Sequence, residues 1–203
     1  EPDGKWHSLA RYMGAERCQK CHSGEATGDA YGKWAASKHA KAYETLATDA
    51  AKKLAGELGI TDPQTNARCL KCHSTAPQVA AKQFDSKFNP TLGVQCEACH
   101  DAAGKHLKKR ASAASNPTNS LPAAAKLAEE VRKRDAQLCL DCHNKECPAF
   151  KAFCVNKHWA AIRHPDPRKK PEEGNTFATC PCGTEPCVCT KGECPAPVPN
   201  GSR

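Results

Sequence analysis

Four copies of one five-residue pattern constrain this chain more than any other feature. They read Cys18-Gln19-Lys20-Cys21-His22, Cys69-Leu70-Lys71-Cys72-His73, Cys96-Glu97-Ala98-Cys99-His100 and Cys139-Leu140-Asp141-Cys142-His143. C-x-x-C-H is the attachment pattern of c-type haem. Two thiols one helical turn apart meet the two vinyl groups on one porphyrin edge, and the adjacent His turns inward to ligate the iron. Zinc ribbons also use C-x-x-C pairs, but zinc does not require His directly after the second Cys. With only nine His in 203 residues, four such neighbours do not arise by chance. The pattern predicts four covalently bound haem c groups. Cys18, Cys21, Cys69, Cys72, Cys96, Cys99, Cys139 and Cys142 are the expected thioether anchors, and His22, His73, His100 and His143 the expected proximal iron ligands.

Haem also accounts for an apolar inventory that is otherwise too small. Leu, Ile, Val and Phe together make 24 of 203 residues, about 12%, where under roughly 20% marks a chain unable to build its own core. A porphyrin is a large apolar plate, so burial at ~25 cal/mol per Å² acts mainly through macrocycle surface. The haem-free chain is therefore expected to be largely unfolded. The formal charge of +8 would by itself suggest nucleic acid or an anionic membrane. Eight haem propionates bring it to about zero with ferrous iron and about +4 with ferric iron, and Lys108-Lys109-Arg110 and Arg168-Lys169-Lys170 are short runs expected to be solvated or propionate-facing. No nucleic-acid partner is expected. Apolar runs are short, so no membrane span is expected either. An exported chain of this kind would have lost its leader before Glu1.

Each iron needs a ligand on its other face. Met would raise the potential, but Met13 is the only Met and lies five residues before Cys18. Five His remain outside the motifs: His7, His39, His106, His158 and His164. Four irons and five His suggest bis-His coordination throughout, which suits electron transfer because saturated iron offers no open position to a substrate. No catalytic residue is expected, and the chain reads as not an enzyme. Six helical residues rise only ~9 Å, so His106 is expected to serve a haem other than that of His100. His158 and His164 are also six apart, so on a helix they would point to different irons.

The expected fold is mainly α with extensive loops, wrapped around four haems, with little or no sheet. Residues 1–17 form an N-terminal lead, 18–164 a tetrahaem core, and 165–203 a linker with a Cys/Pro-rich tail. Residues 33–59 read as one helix ended by Gly56 and Gly59. The stretch 103–120, with Asn116-Pro117, reads as a loop. Residues 121–143 give the strongest helix, capped by Asn119 or Ser120 with Pro122 in the first turn, and Leu127, Val131, Leu138 and Cys142 share a face. Seven cysteines lie outside the motifs: Cys147, Cys154, Cys180, Cys182, Cys187, Cys189 and Cys194. Bacterial haem attachment takes place outside the cytoplasm, where thiols oxidise, so disulfides are expected ahead of metal binding. Seven is odd, so one cysteine is left to pair between chains or carry another group.

Specific segments extend the reading. Tyr12-Met13-Gly14 ahead of the first motif, Lys33-Trp34-Ala35-Ala36-Ser37-Lys38-His39-Ala40-Lys41-Ala42, and Gly93-Val94-Gln95-Cys96-Glu97-Ala98-Cys99-His100 with His106 resemble the tetrahaem cytochrome c-554 family. The resemblance covers roughly residues 12–164, and within the family it leans toward extracellular filament-forming tetrahaem cytochromes of metal-reducing bacteria. It implies that His39 ligates the third-motif haem (His100) and His106 the first-motif haem (His22). The fourth haem is then expected to take His158 or His164, and the second (His73) His7 or the remaining member of that pair. Asp101-Ala102-Ala103 stands where the family has Gly-Pro-Gly. The expected function is an electron conduit that forms a homopolymeric filament, exported to the cell surface or beyond, and passes electrons to redox proteins or to mineral and metal acceptors. A periplasmic shuttle and a nitrogen-oxide enzyme are the alternatives.

Overall fold

The structure is a computed structural model that describes residues 11–115, 136–150, 153 and 155–167. Nine α-helices lie among them: α1 Ala15–His22, α2 Ala30–Ala35, α3 Ala42–Thr45, α4 Asp49–Glu57, α5 Ala67–His73, α6 Cys96–His100, α7 Gly104–Ser115, α8 Ala136–Leu140 and α9 Val155–Ile162. Three short 3-10 turns add to these at Glu25–Thr27, Ala81–Gln83 and Pro90–Leu92. Among the described residues there is no sheet, only an isolated bridge between Tyr12 and Phe84. The fold is mainly α with long connections, as expected from the absence of period-two alternation. The chain divides into two units, Glu1–Lys20 with Lys38–Lys133, and Cys21–Ser37 with Arg134–Arg203.

The stretch read as one helix over 33–59 begins in the second unit, continues in the first, and is interrupted. After α2 the chain turns through 36–41 and resumes as α3 and then α4. The interruption has a main-chain cause: the His39 carbonyl accepts from Val94 N at 2.9 Å and from Ala42 N at 3.2 Å, so it is committed outside a helical ladder. Helix α4 starts where Thr48 caps it, its side chain accepting from Ala51 N. It ends at Glu57, where Ile60 N donates to Ala55 O at 2.8 Å around Gly59 at φ +70. Gly59 is thus the stop signal, while Gly56 lies inside the helix.

The apolar core of the first unit is small. Tyr12 and Ala102 are buried, with Ala76, Val79, Phe84 and Phe88 packed against them. The Tyr12 and Phe84 rings lie 5.5 Å apart, and Phe84 and Phe88 4.5 Å. Tyr12 N donates to Gln83 O and Asp85 N to Tyr12 O, each at 2.8 Å, which holds the segment before α1 in place. Burial, together with Asp101 and Glu97, pushes the Tyr12 hydroxyl up to about 12.

Residues 104–115, expected as loop, are helix α7. The polarity that suggested a loop comes from Lys and Arg, which are good helix formers, with Ala and Leu between them. Of the helix expected over 121–143, residues 121–135 lie outside the described residues. The remainder ends earlier than expected: α8 stops at Leu140, so Cys142 and His143 sit on the turn that follows it.

In the second unit, Asp29 caps α2, accepting from Gly32 N, and also accepts from Gly24 N at 3.0 Å. Gly28, at φ +82, lies so close to Pro165 that an added Cβ would collide with the Pro165 carbonyl. Val155, at the start of α9, is buried. Phe153 stacks on both His143 (4.1 Å, 6°) and His158 (4.7 Å, 18°).

Candidate haem sites

Each of the first three motifs rides on a helix that its His closes. Helices α1, α5 and α6 end at His22, His73 and His100, so each pair of thiols stands one turn apart with the ligand beside the second. Asn66 caps α5 through a bond from Arg68 N at 3.0 Å. Helix α1 is capped differently. Its entering N–H groups have no partner inside the helix, and side chains of the third motif supply one: Ala15 N donates to Gln95 Oε1 at 2.8 Å, Gly14 N to Glu97 Oε2 at 2.8 Å, and Met13 N to Glu97 at 2.9 Å. Glu97 Oε1 also accepts from Ala103 N at 2.7 Å, just before α7 begins.

The second motif joins the same knot. Thr75 Oγ1 accepts from Gln95 N at 2.8 Å and donates to Gly93 O at 3.0 Å, while Ser74 Oγ donates to Pro90 O at 3.1 Å. Thr75, Gln95 and Glu97 are each 1% exposed. Buried polar groups bonded this fully fix one arrangement of the segments that carry them. Interaction between the neighbouring Cys18 and Cys96 thiols, with burial, pushes Cys18 up, and the same interaction draws Cys96 down against the effect of its burial. The anchors of the first and third motifs are therefore neighbours.

The motif cysteines are half-buried except for the exposed Cys21. Cys147, the one non-motif cysteine among the described residues, is also a half-buried thiol. The other six lie outside them, as does His7.

The His Nδ1 atoms carry further information. His73 Nδ1 lies 2.7 Å from the Ala42 carbonyl. A carbonyl only accepts, so Nδ1 donates and Nε2 is the nitrogen turned toward a metal, the usual outer hydrogen bond of an iron-ligating imidazole. His164 repeats this with Ile162 O at 3.0 Å. The Nδ1 atoms of His100 and His106 are shut away from solvent. Burial pushes His39 down, favouring the neutral imidazole that binds metals.

The expected second ligands are distributed as follows. His39 lies on the turn whose carbonyl accepts from Val94 N, two residues before Cys96. His106 lies on α7, whose first residue donates through Gly104 N to Arg11 O at 3.0 Å, in the lead of the first motif. His100 and His106 are not on one continuous helix: α6 stops at His100, and Asp101 turns the chain at φ 62, ψ 174. The premise of six helical residues between them is corrected by that break. His158, on α9, is exposed, and His164, beyond the end of α9, is half-buried.

Asp101 occupies backbone space that is nearly reserved for glycine and costs about 1–3 kcal/mol for other residues. Asp101→Gly is expected to raise the stability of the haem-loaded chain by at least about 1 kcal/mol. An unchanged or lowered denaturation midpoint would contradict that.

Residues 17–101 match the family described as cytochrome c554 and c-prime. The likeness supports a c-type cytochrome electron carrier with covalent haem c. The matched stretch holds the first three motifs and His39. His106, the fourth motif, His158 and His164 lie beyond it. No curated protein and no solved structure matches the chain. Among the described residues no helix is long and apolar enough to cross a membrane.

The residues present fit haem on three grounds. The described core is short of apolar bulk: its buried apolar residues are Tyr12, Ala15, Leu46, Ala55, Ile60, Ala102 and Val155. Thiols are paired at one-turn spacing in the first three motifs. The His73 tautomer presents Nε2. Bound there, haem supplies a one-electron iron couple. Sequence reasoning singled out the cysteines and histidines but missed Thr75, Gln95 and Glu97 as joints between motifs. Glu97 fills a variable slot of C-x-x-C-H, and a charge there was a visible signal, but nothing in the spacing marks it as buried.

Proposed function

We propose that the chain is a tetrahaem c-type cytochrome that passes electrons between closely spaced bis-His haems, as the subunit of an extracellular filament. The observation that carries the electron relay is Gly14: its N–H donates to Glu97, next to Cys96, and its carbonyl accepts from Cys18 Sγ, which would bring the anchors of two haems side by side. His22 and His106 would hold the first iron, and His100 and His39 the third. The main-chain bonds from Gly104 to Arg11 and from Val94 to His39 support both pairings. For the fourth iron, His158 is favoured over His164 as partner of His143, because Phe153 stacks on both His143 and His158. His73 would hold the second iron with His7 or His164. A His7 reaching from a neighbouring copy would complete that haem across a head-to-tail joint, and open joints of that type build filaments.

Pyridine-haemochrome analysis should give four haems per chain, low-spin in both oxidation states, with no carbon monoxide uptake by the reduced protein. Fewer haems would contradict the reading, and full-occupancy carbon monoxide binding would turn it toward a nitrogen-oxide enzyme. Electron microscopy should show filaments. Dispersed single subunits would leave a periplasmic shuttle as the function.

A further inference from the structure

Glu97 is a buried carboxylate that haem attachment and iron ligation do not use. Its oxygens accept from Met13 N (2.9 Å to each oxygen), Gly14 N (2.8 Å) and Ala103 N (2.7 Å). All three donors are main-chain N–H groups, so both oxygens serve purely as acceptors, which is what an ionised carboxylate offers and a protonated one does not. Among the described residues no lysine or arginine forms an ion pair with it. Burial, with a smaller contribution from Asp85, pushes its proton affinity up, and the three N–H bonds pull it down.

Its place between two motifs is specific. The Glu97 carboxylate is one residue from the Cys96 anchor in sequence. It also grips Met13 and Gly14, which lead directly into the helix bearing Cys18, and the Cys18 thiol donates to the Gly14 carbonyl at 3.7 Å. A charge removed from water acts over a distance at which a solvated charge would be screened. Oxidation adds one positive charge to a haem, and a fixed negative charge nearby favours that oxidised state. Burial and outer hydrogen bonding are the means by which a protein tunes a haem it has attached.

We propose that Glu97 sets the reduction potentials of the first- and third-motif haems, as a fixed anion held between their anchoring segments. The proposal rests on the reading of these motifs as haem sites. It assigns the residue more than a clasp: the clasp fixes where the charge sits, and the charge lowers two of the four potentials.

The test is spectroelectrochemical titration of the full haem-loaded chain. Glu97→Gln removes the charge and nearly keeps the shape. Two haems should move to higher potential, each with at least a tenfold change in its oxidised-to-reduced ratio, about 59 mV for one electron. Glu97→Asp keeps the charge and should leave all four close to wild type. Unchanged potentials in a Gln variant that carries four haems overturn the proposal. An equal shift of all four also overturns it, since that reports a general loosening, and so does an Asp variant that shifts as far as Gln. Where Glu97→Gln fails to load haem, Ala103→Pro decides. It deletes one compensating N–H and retains the anion, so the same two potentials should fall, and unchanged potentials there overturn the proposal. A wild-type preparation without covalent haem would overturn the underlying reading instead.

Discussion

Replacing Gly93 with Ala is expected to cost more than about 3 kcal/mol and to detach the turn that carries His39. Gly93 sits at φ 68, ψ −139, a conformation that side-chain-bearing residues adopt only at a cost. A Cβ there would lie 2.5 Å from the His39 carbonyl, 3.0 Å from that of Ala40 and 3.1 Å from Ala42 N. These are main-chain atoms, so no side chain can swing aside to make room. Strain and collision add, which puts the substitution among the severe ones. Denaturant unfolding of the haem-loaded variant should show the loss, and, if His39 ligates iron as proposed, its spectrum a high-spin fraction. Gly56→Ala is the control. Gly56 lies inside α4 with nothing within 4 Å of its added Cβ, so Ala there should stabilise by roughly 0.5–1 kcal/mol. A Gly93→Ala protein that matches wild type in midpoint and spectrum would contradict the close approach.

Withholding haem should have the largest effect on the fold. The described helices run from four to twelve residues, at or below the ~12–15 residues at which isolated helices are even marginal in water. Three of the seven buried apolar residues are alanines, so little packing remains to offset the entropy of ordering the chain. Chain made without haem attachment, kept reduced, should lose most of its far-ultraviolet helical signal and melt without a cooperative transition. A haem-free preparation with a sharp thermal transition would show that the polar knot around Glu97 suffices, and would refute the dependence on porphyrin.

The parts of the fold legible in the sequence were those that covalent chemistry dictates. C-x-x-C-H places thiols and imidazole by spacing alone, and the all-helical character followed from the lack of alternation. The breaks were harder to read. Ala and Lys around Ser37–Lys41 favour helix locally, and only a partner more than fifty residues away, Val94, draws the His39 carbonyl out of the ladder. Residues 104–115 depart in the opposite sense: their charge points to irregular chain, yet Lys and Arg suit a helix well. Asp101 was visible as a departure from Gly-Pro-Gly, but the positive φ it must adopt was not. The knot of Thr75, Gln95 and Glu97 lies beyond any periodicity argument: polar residues at such positions ordinarily face water, and their burial depends on three segments meeting.

Gly93 passes the main chain of His39–Ala42, and Gly104 that of Arg11, where an added Cβ would come within 2.9 Å of the Arg11 amide nitrogen. At both points main chain meets main chain with no side chain between them. The separation there depends on peptide dimensions, which are the same whatever residues flank them. Substitutions across the exposed surface can change charge, solubility and docking partners without stretching these two joints. The pace of an electron hop depends steeply on the gap between carriers, so in the proposed relay these two joints would shelter that pace from drift in the surface sequence.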